Sequence, residues 1–231
     1  MKKIISYSLW GDDTRYTDGA IRNVELAQRL YKDWVCRFHI GDSTPIKIIE
    51  TLNSFNNTEL ILRTEECNWK GMFWRFEDAS DPDVDVMICR DVDSRPTTRE
   101  VLAVQQWLES DKDFHIMRDH PYHATEILGG MWGVRNPFLK HMKNYIDEYS
   151  KGDFWQVDQN FLREKIYPLV RGNVFVHDEF FGNHYGEPTF PYSHPRDANH
   201  FIGQAYAGND KILDADEFFD DVYNNSRDEK K

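Results

Sequence analysis

The sequence predicts an α/β domain whose mostly parallel, mixed sheet is flanked by helices on both faces. Short runs rich in β-branched and aromatic residues, each of strand length, recur along the chain. Between the early ones lie helical patterns, the alternation that βαβ units require. The chain of 231 residues, 40% apolar and 29% charged, is sized for one large domain or one with an appendage. It buries its own core, which excludes disordered, collagenous and coiled-coil chains.

The strand candidates are Lys3 to Leu9, Trp34 to Ile40, Glu59 to Arg63, Asp85 to Cys89, Phe114 to Met117, Met131 to Val134 and Asn173 to Val176. In the first helix, Ala20, Val24, Ala27 and Tyr31 share a face with Leu26 and Leu30 beside it, and Thr17 or Asp18 supplies the cap. Further helices are expected over Thr44 to Ser54, Trp69 to Ala79, Thr97 to Leu108, Pro137 to Tyr149 and Phe154 to Tyr167, the last stopped by Pro168. From about Tyr185 the composition turns to Pro, Gly, His and Asn, then to the acidic run DADEFFDD, Asp214 to Asp221. That run lacks the glycine and closing glutamate of an EF-hand loop. A single catalytic domain over 1–207 and a partly disordered acidic tail over 208–231 are expected.

Lys plus Arg number 28 and Asp plus Glu number 40, a formal charge of −12. Such a surface repels nucleic-acid phosphates, so nucleic acid is not an expected partner. An anionic small molecule needs a local answer, either a metal ion or gathered arginines. Cys36, Cys67 and Cys89 are an odd set without C-x-x-C spacing, which suggests neither a disulfide framework nor a structural zinc. No apolar run approaches the ~18–20 residues of a membrane helix. The opening MKKIISYSLWGDD has no small-residue cleavage site and reads as a first strand. The cytoplasm is the expected compartment.

The most informative stretch is DPDVDVMICRDVDSRP, Asp81 to Pro96. Two acidic triplets compete in it, one before and one after the apolar run. Ligands of parallel α/β sheets sit beyond the carboxyl ends of the strands, which favours Asp91-Val92-Asp93. Residues two apart in an extended chain face the same side, so both carboxylates address one site. Their mutual repulsion calls for a cation or an arginine, and hard oxygens suit Mn²⁺ or Mg²⁺. The same pair would also serve as a salt-bridged couple with Arg90 and Arg95.

A strand running into D-x-D about 90 residues after an amino-terminal βα unit resembles the metal motif of nucleotide-sugar glycosyltransferases of the GT-A fold, a Rossmann-like single domain. SYSLWGDDTRYTDGAIRN (Ser6 to Asn23) resembles that family's first strand and nucleotide loop, and LGGMWGVRN (Leu128 to Asn136) its acceptor-side strand. VDQNFLREKIYP (Val157 to Pro168) resembles the Asp-Gln helix of retaining, glycogenin-like members, and HFIGQAY (His200 to Tyr206) their H-F-x-G segment, without the lysine and proline that follow it there.

The resemblance implies a metal-dependent transferase that uses a nucleoside-diphosphate sugar, a UDP-sugar being favoured, and a saccharide or glycoconjugate acceptor. It implies Asp93 as a direct metal ligand, Asp91 as a partner of ribose or of metal-bound water, and His200 as a third ligand. His177, at the tip of the apolar strand NVFV, is the rival histidine. Tyr7, Ser8 and Trp10 are candidates for the base, Arg75 and Asp78 for nucleotide or sugar, and Arg15 and Arg90 for phosphate. Gly129 and Gly130 allow close backbone approach, and Trp132 offers a flat face to a sugar ring. Asp119, with His120 and His123, is a candidate for an acceptor cleft. By resemblance, Gln159 lies near the anomeric carbon and Asp158 binds sugar hydroxyls. No x-E-D pattern follows the acceptor strand, which tilts the reading toward retention of configuration. Two other readings stand beside this one: a GT-A-shaped sugar-binding protein without turnover, and a D-x-D phosphohydrolase. The second normally has D-x-D-x-T near the amino terminus, whereas here Arg90 precedes the pair and Ser94-Arg95 follow it.

Overall fold

The computed structural model describes residues 1–149, 151–152, 154–196 and 200–213. Strands β1 (Lys3–Leu9), β2 (Trp34–Ile40), β3 (Thr58–Leu62), β4 (Val86–Cys89), β5 (Phe114–Arg118), β6 (Trp132–Arg135), β7 (Val174–Asp178) and β8 (Thr189–Phe190) form one sheet. Their order is β3-β2-β1-β4-β6-β5-β7-β8. β6 runs antiparallel to both neighbours and every other pairing is parallel. All seven expected strands form, the first two with the expected ends. The two-residue β8 is too short for a periodic pattern to register.

β1 is central and buried on both faces, so it reads as a nearly continuous apolar run. Ile5, Tyr7 and Leu9 point to one side, against Ala20, Val24 and Ala27 of α1 (Thr14–Leu30) and beside Leu52 of α2 (Ile46–Asn53). Val104 and Trp107 of α4 (Thr98–Glu109) extend the same layer. Ile4 points to the other side, into a layer with Phe76 of α3 (Trp74–Glu77), Met142 of α5 (Met142–Asp147) and Val157 and Phe161 of α6 (Val157–Phe161). No helix of the described residues is long and apolar enough to cross a membrane.

Several helices differ from the expected ones, each for a local reason. α1 begins one turn early because Asp13 caps it, its carboxylate accepting from the Arg15 amide at 2.8 Å. That first turn is polar, so an apolar period does not reveal it, yet it carries Arg15 and Tyr16 to the sheet's carboxyl edge. The stretch from Trp69 is a 3₁₀ turn (Trp69–Phe73), then α3, then a second 3₁₀ turn (Asp78–Ser80). After β6, Asn136 donates its amide to the carbonyls of Asp81 (2.7 Å) and Val84 (2.6 Å), holding the chain in turns until α5 starts. Pro168 does not stop its helix. α6 passes through a π turn (Leu162–Ile166) into α7 (Tyr167–Val170), and the wider register accommodates the ring.

Two residues assigned to ligand binding from sequence are core. Trp132 is fully buried, stacked on Phe114 at 5.4 Å and edge-on to Phe76, and its Nε1–H donates to the Gly129 carbonyl at 3.1 Å. Tyr7 is stacked on Phe38 at 4.9 Å in the opposite layer. Alternation along a buried strand turned both rings inward. The packed chain also runs past residue 207: Asp210 bonds Arg95 at 2.9 Å and Arg22 at 2.8 Å, and Leu213 is buried. The acidic run Asp214 to Asp221 lies outside the described residues.

Trp132→Ala should lower the unfolding free energy by ~3–5 kcal/mol, the cost of emptying an aromatic core site. Urea denaturation checks this. A change within ~0.5 kcal/mol is what an exposed sugar-stacking ring would show instead.

Candidate functional site

In an open α/β sheet the strand order reverses at one point, and the carboxyl ends there leave a crevice. That point lies between β1 and β4, and a cleft of about 770 Å³ opens over it. The volume is that of a small-molecule site. Ser8 and Trp10 reach it from the end of β1, Asp91 and Asp93 from the end of β4, and Arg15 and Tyr16 from the first turn of α1. Arg75 enters from α3, Gly129 and Met131 from the approach to β6, and Asp158 and Gln159 from α6.

Register sets the centre. β4 pairs Cys89 with Ser6 of β1 and with Trp132 of β6, so two residues further on Asp91 lies between Ser8 and Gly130. A Cβ on Gly130 would collide with the Asp91 carboxylate and its amide nitrogen, and one on Gly129 would come within 2.7 Å of Asp158 Oδ2. Glycine is needed at both positions for this close approach, whatever their backbone angles.

The Arg75 guanidinium bridges this centre. It donates to Asp91, to the Arg90 carbonyl at 3.1 Å and to Asp158 Oδ2 at 3.0 Å. Its own amide N–H donates to Ser8 Oγ at 3.2 Å, which fixes the base of the side chain against β1. Arg15 donates to Asp93 Oδ2 through Nε at 2.9 Å and Nη2 at 2.6 Å. Three carboxylates thus share two guanidinium groups, a cluster one negative charge in excess. Burial raises the Asp93 carboxyl above its ordinary range, opposed by Arg15 and reinforced by Asp91. Burial does the same to Asp158, opposed by Arg75. Arg75 is held cationic: burial acts against its charge, but the Asp91 and Asp158 carboxylates outweigh it.

Asp91 and Asp93 are hard oxygen donors two residues apart at the rim of the cleft, and the Asp91 side chain is 42% exposed. They fit a hard divalent cation that keeps most of its positions for phosphate oxygens and water. Among the described residues no three His, Cys, Asp or Glu side chains gather into a closed metal cage. Neither candidate histidine joins the pair. His177 is buried within the fold, its Nδ1 2.9 Å from His115 Nε2 and its Nε2 2.8 Å from Gln106 Oε1. Burial, then Arg99, pull its pKa down to about 4. His200 is partly exposed and is not among the residues lining the cleft.

Three further expectations give way to structural ion pairs. Arg90 turns inward, donating to Glu100 at 2.8 Å and to the Trp132 carbonyl at 3.1 Å. Asp78 lies beneath the cleft floor, accepting from Ser6 Oγ at 2.6 Å and Arg37 at 3.0 Å, with His39 Nε2 at 3.0 Å. Asp119 is fully buried, bonded to Arg99 at 2.8 Å, to Arg196 at 3.1 Å and to the Ile202 amide at 3.0 Å. It ties Arg196 and Ile202 to the end of β5 and so positions Phe201, which does line the cleft. Buried charges of this kind need partners wherever they sit, so charge alone does not separate site from scaffold. Ser8, Trp10, Arg15, Arg75, Asp91, Asp93, Gly129, Asp158 and Gln159 do converge on the cleft. Sequence reasoning missed Tyr16 and Arg163; the acidic cap at Asp13 was the available signal for the first, and nothing marked the second.

No protein-family model and no curated protein matches the chain. Solved structures do resemble it in fold. A glycosyltransferase involved in the glycosylation of the major capsid of PBCV-1 superposes with a TM-score of 0.51 at 17% identity, over 77% of this chain and 82% of that one. The mannosyltransferase PcManGT from Pyrobaculum calidifontis, in complex with GDP-Man and Mn²⁺, gives 0.53 at 10% identity, over 85% of this chain and 58% of that one. S. aureus TarS gives 0.53 at 12% identity, over 78% and 58%. The fold is therefore the GT-A fold expected from the D-x-D segment and the ordered motifs around it; a likeness to the glycogenin-like branch in particular is not among these findings.

Because its folded pKa is raised, the ionised Asp93 destabilises the fold above that pKa and ceases to do so below its unfolded value, near 3.9. Asp93→Asn should therefore match or exceed the wild-type melting temperature at pH 7.5, and the gap should close as the pH falls toward 4. Thermal denaturation at both pH values tests the sign.

Proposed function

We propose that the protein is a glycosyltransferase that moves a sugar from a nucleoside-diphosphate sugar, with a UDP-sugar favoured, to a saccharide or glycoconjugate acceptor. The observation that carries this reading is the Arg15, Arg75, Asp91, Asp93 and Asp158 cluster at the switch point of a GT-A fold, in a cleft sized for a nucleotide sugar. Mn²⁺ or Mg²⁺ bound by Asp91 and Asp93 would supply a Lewis acid for the leaving diphosphate.

The chain's own groups do the rest. Trp10 and Tyr16, aromatic side chains beside Ser8 at the β1 end of the cleft, suit a nucleobase and ribose. Arg15 and Arg75 face the same centre and would stabilise negative charge as it develops on the diphosphate, the preorganised electrostatic role. The sugar's C1–O bond breaks with its electron pair passing to the diphosphate oxygen. The acceptor hydroxyl oxygen forms the new bond to C1 and gives up its proton to the departing phosphate. Asp158 and Gln159 sit where they would orient the sugar at that step.

Retention is the stereochemistry favoured. An inverting displacement calls for a carboxylate base beside the acceptor, and the three cleft carboxylates among the described residues are each bound to an arginine.

UDP or GDP with Mn²⁺ should stabilise the fold by about 2.7 kcal/mol at a hundredfold excess over Kd, and so raise the melting temperature. The Asp91→Ala/Asp93→Ala variant should lose the metal-dependent part. If no nucleoside diphosphate stabilises the wild type with any divalent cation, the proposal fails. If nucleotide binds but neither sugar transfer nor slow donor hydrolysis is detected, the protein is a binder that has kept the shape.

A further inference from the structure

The cleft extends beyond the donor cluster. Of its charged lining residues among those described, Arg15, Arg75, Asp91, Asp93 and Asp158 bond one another. Arg163 is the exception, because no carboxylate lining the cleft pairs with it. Its guanidinium donates to the Asn160 side-chain carbonyl at 2.8 Å, and among the described residues the carboxylate paired with it, Glu164, stands 3.9 Å away. Glu164 is itself held by Lys151 at 3.0 Å and by the Tyr149 hydroxyl. The π turn that carries the helix through Pro168 also contains Arg163, and Gln159 and Asn160 line the same wall one turn earlier.

The facing part of the cleft is aromatic. Tyr122, His120 and Phe201 form a packed group, with ring centroids 5.1 Å apart for His120 and Tyr122 and 4.2 Å for His120 and Phe201. The group is built from the loop after β5 and from the segment that Asp119 anchors, whereas Arg163 comes from the helical layer on the other face of the sheet. Behind them His123 accepts from the Asp119 amide at 3.0 Å. A flat aromatic wall suits the C–H face of a sugar ring, and a half-exposed guanidinium with an amide beside it suits a carboxylate or phosphate. On a chain with a net charge of −12, a cationic spot inside the cleft is a local reversal that attracts an anion the surface otherwise repels.

We propose that this half of the cleft is an acceptor subsite for an acidic saccharide, a pyranose bearing a carboxylate or phosphate that Arg163 reads while Tyr122 and Phe201 hold the ring. The inference rests on the transferase reading for its role, but the binding itself does not depend on turnover.

The test is saturation-transfer NMR on the full chain with glucose, glucuronate and glucose 6-phosphate, each titrated with and without UDP and Mn²⁺. The acidic sugars should bind about tenfold more tightly than glucose, as expected for one charge-assisted contact. Comparing glucuronate with glucose 6-phosphate separates carboxylate from phosphate. Arg163→Gln should erase the preference and Arg163→Lys should restore part of it. Arg171→Gln, at an exposed arginine after α7, should retain it. Tyr122→Ala should weaken all three sugars together. Equal binding of glucose and the acidic sugars, or a preference that survives Arg163→Gln, overturns the proposal. So does an absence of sugar binding in a protein that UDP and Mn²⁺ still stabilise. Arg163-dependent binding of acidic sugars in a protein that no nucleotide stabilises would instead support the subsite and remove the transferase reading.

Discussion

The cleft depends on one buried guanidinium. Arg75 holds the end of β4 and the start of α6 in a single arrangement by bonding Asp91 and Asp158 together. Those segments come from opposite sides of the β6 approach, 67 residues apart by their numbers, and no backbone hydrogen bond joins them. Without the guanidinium, Asp158 would be an unpaired buried carboxylate, a cost of about 3–5 kcal/mol. Its position follows from Ser8, which receives the Arg75 amide, and from Gly129 and Gly130, which leave room for the carboxylates it bridges.

The scaffold around it separates two kinds of buried charge. Asp78 with Arg37 and His39, Arg90 with Glu100, and Asp119 with Arg99 and Arg196 are each paired within the protein and turn away from the cleft. They fasten strands to helices and the late segment to β5. The cleft cluster instead carries a net negative charge, keeps part of Asp91 exposed, and includes carboxyl groups raised by burial. Such perturbed groups are where a protein forgoes stability for binding or chemistry. A cation would offset the excess negative charge on these carboxylates.

Much of the fold was legible in the chain. Continuous apolar runs at β1, β2 and β4, and the helices between the early strands, define a parallel sheet because each run must be buried on both faces. The D-x-D after β4 was legible for the same reason: a polar pair directly after a buried strand has to emerge at its carboxyl edge. Arg15, Arg75, Asp158 and Gln159 were found through motif order and converge on that edge. The N-terminal turn of α1, the π turn at Pro168 and strand β8 were not legible, because polar caps and one-residue register shifts leave no periodic trace.

What the sequence by itself determined is the layered α/β architecture and the placing of Asp91 and Asp93 at its open edge, since burial and strand direction are local consequences of which residues are apolar. Only the tertiary structure decided which of the similar-looking polar and aromatic residues face the ligand. Tyr7 and Trp132 went to the core, Asp78, Arg90 and Asp119 to internal ion pairs, and His177 to a buried histidine pair, while Tyr16 and Arg163 came to the cleft. The reason is physical: an arginine, an aspartate or an aromatic ring satisfies the same chemistry with a protein partner as with a ligand, and the partner is set by contacts between residues far apart in the chain.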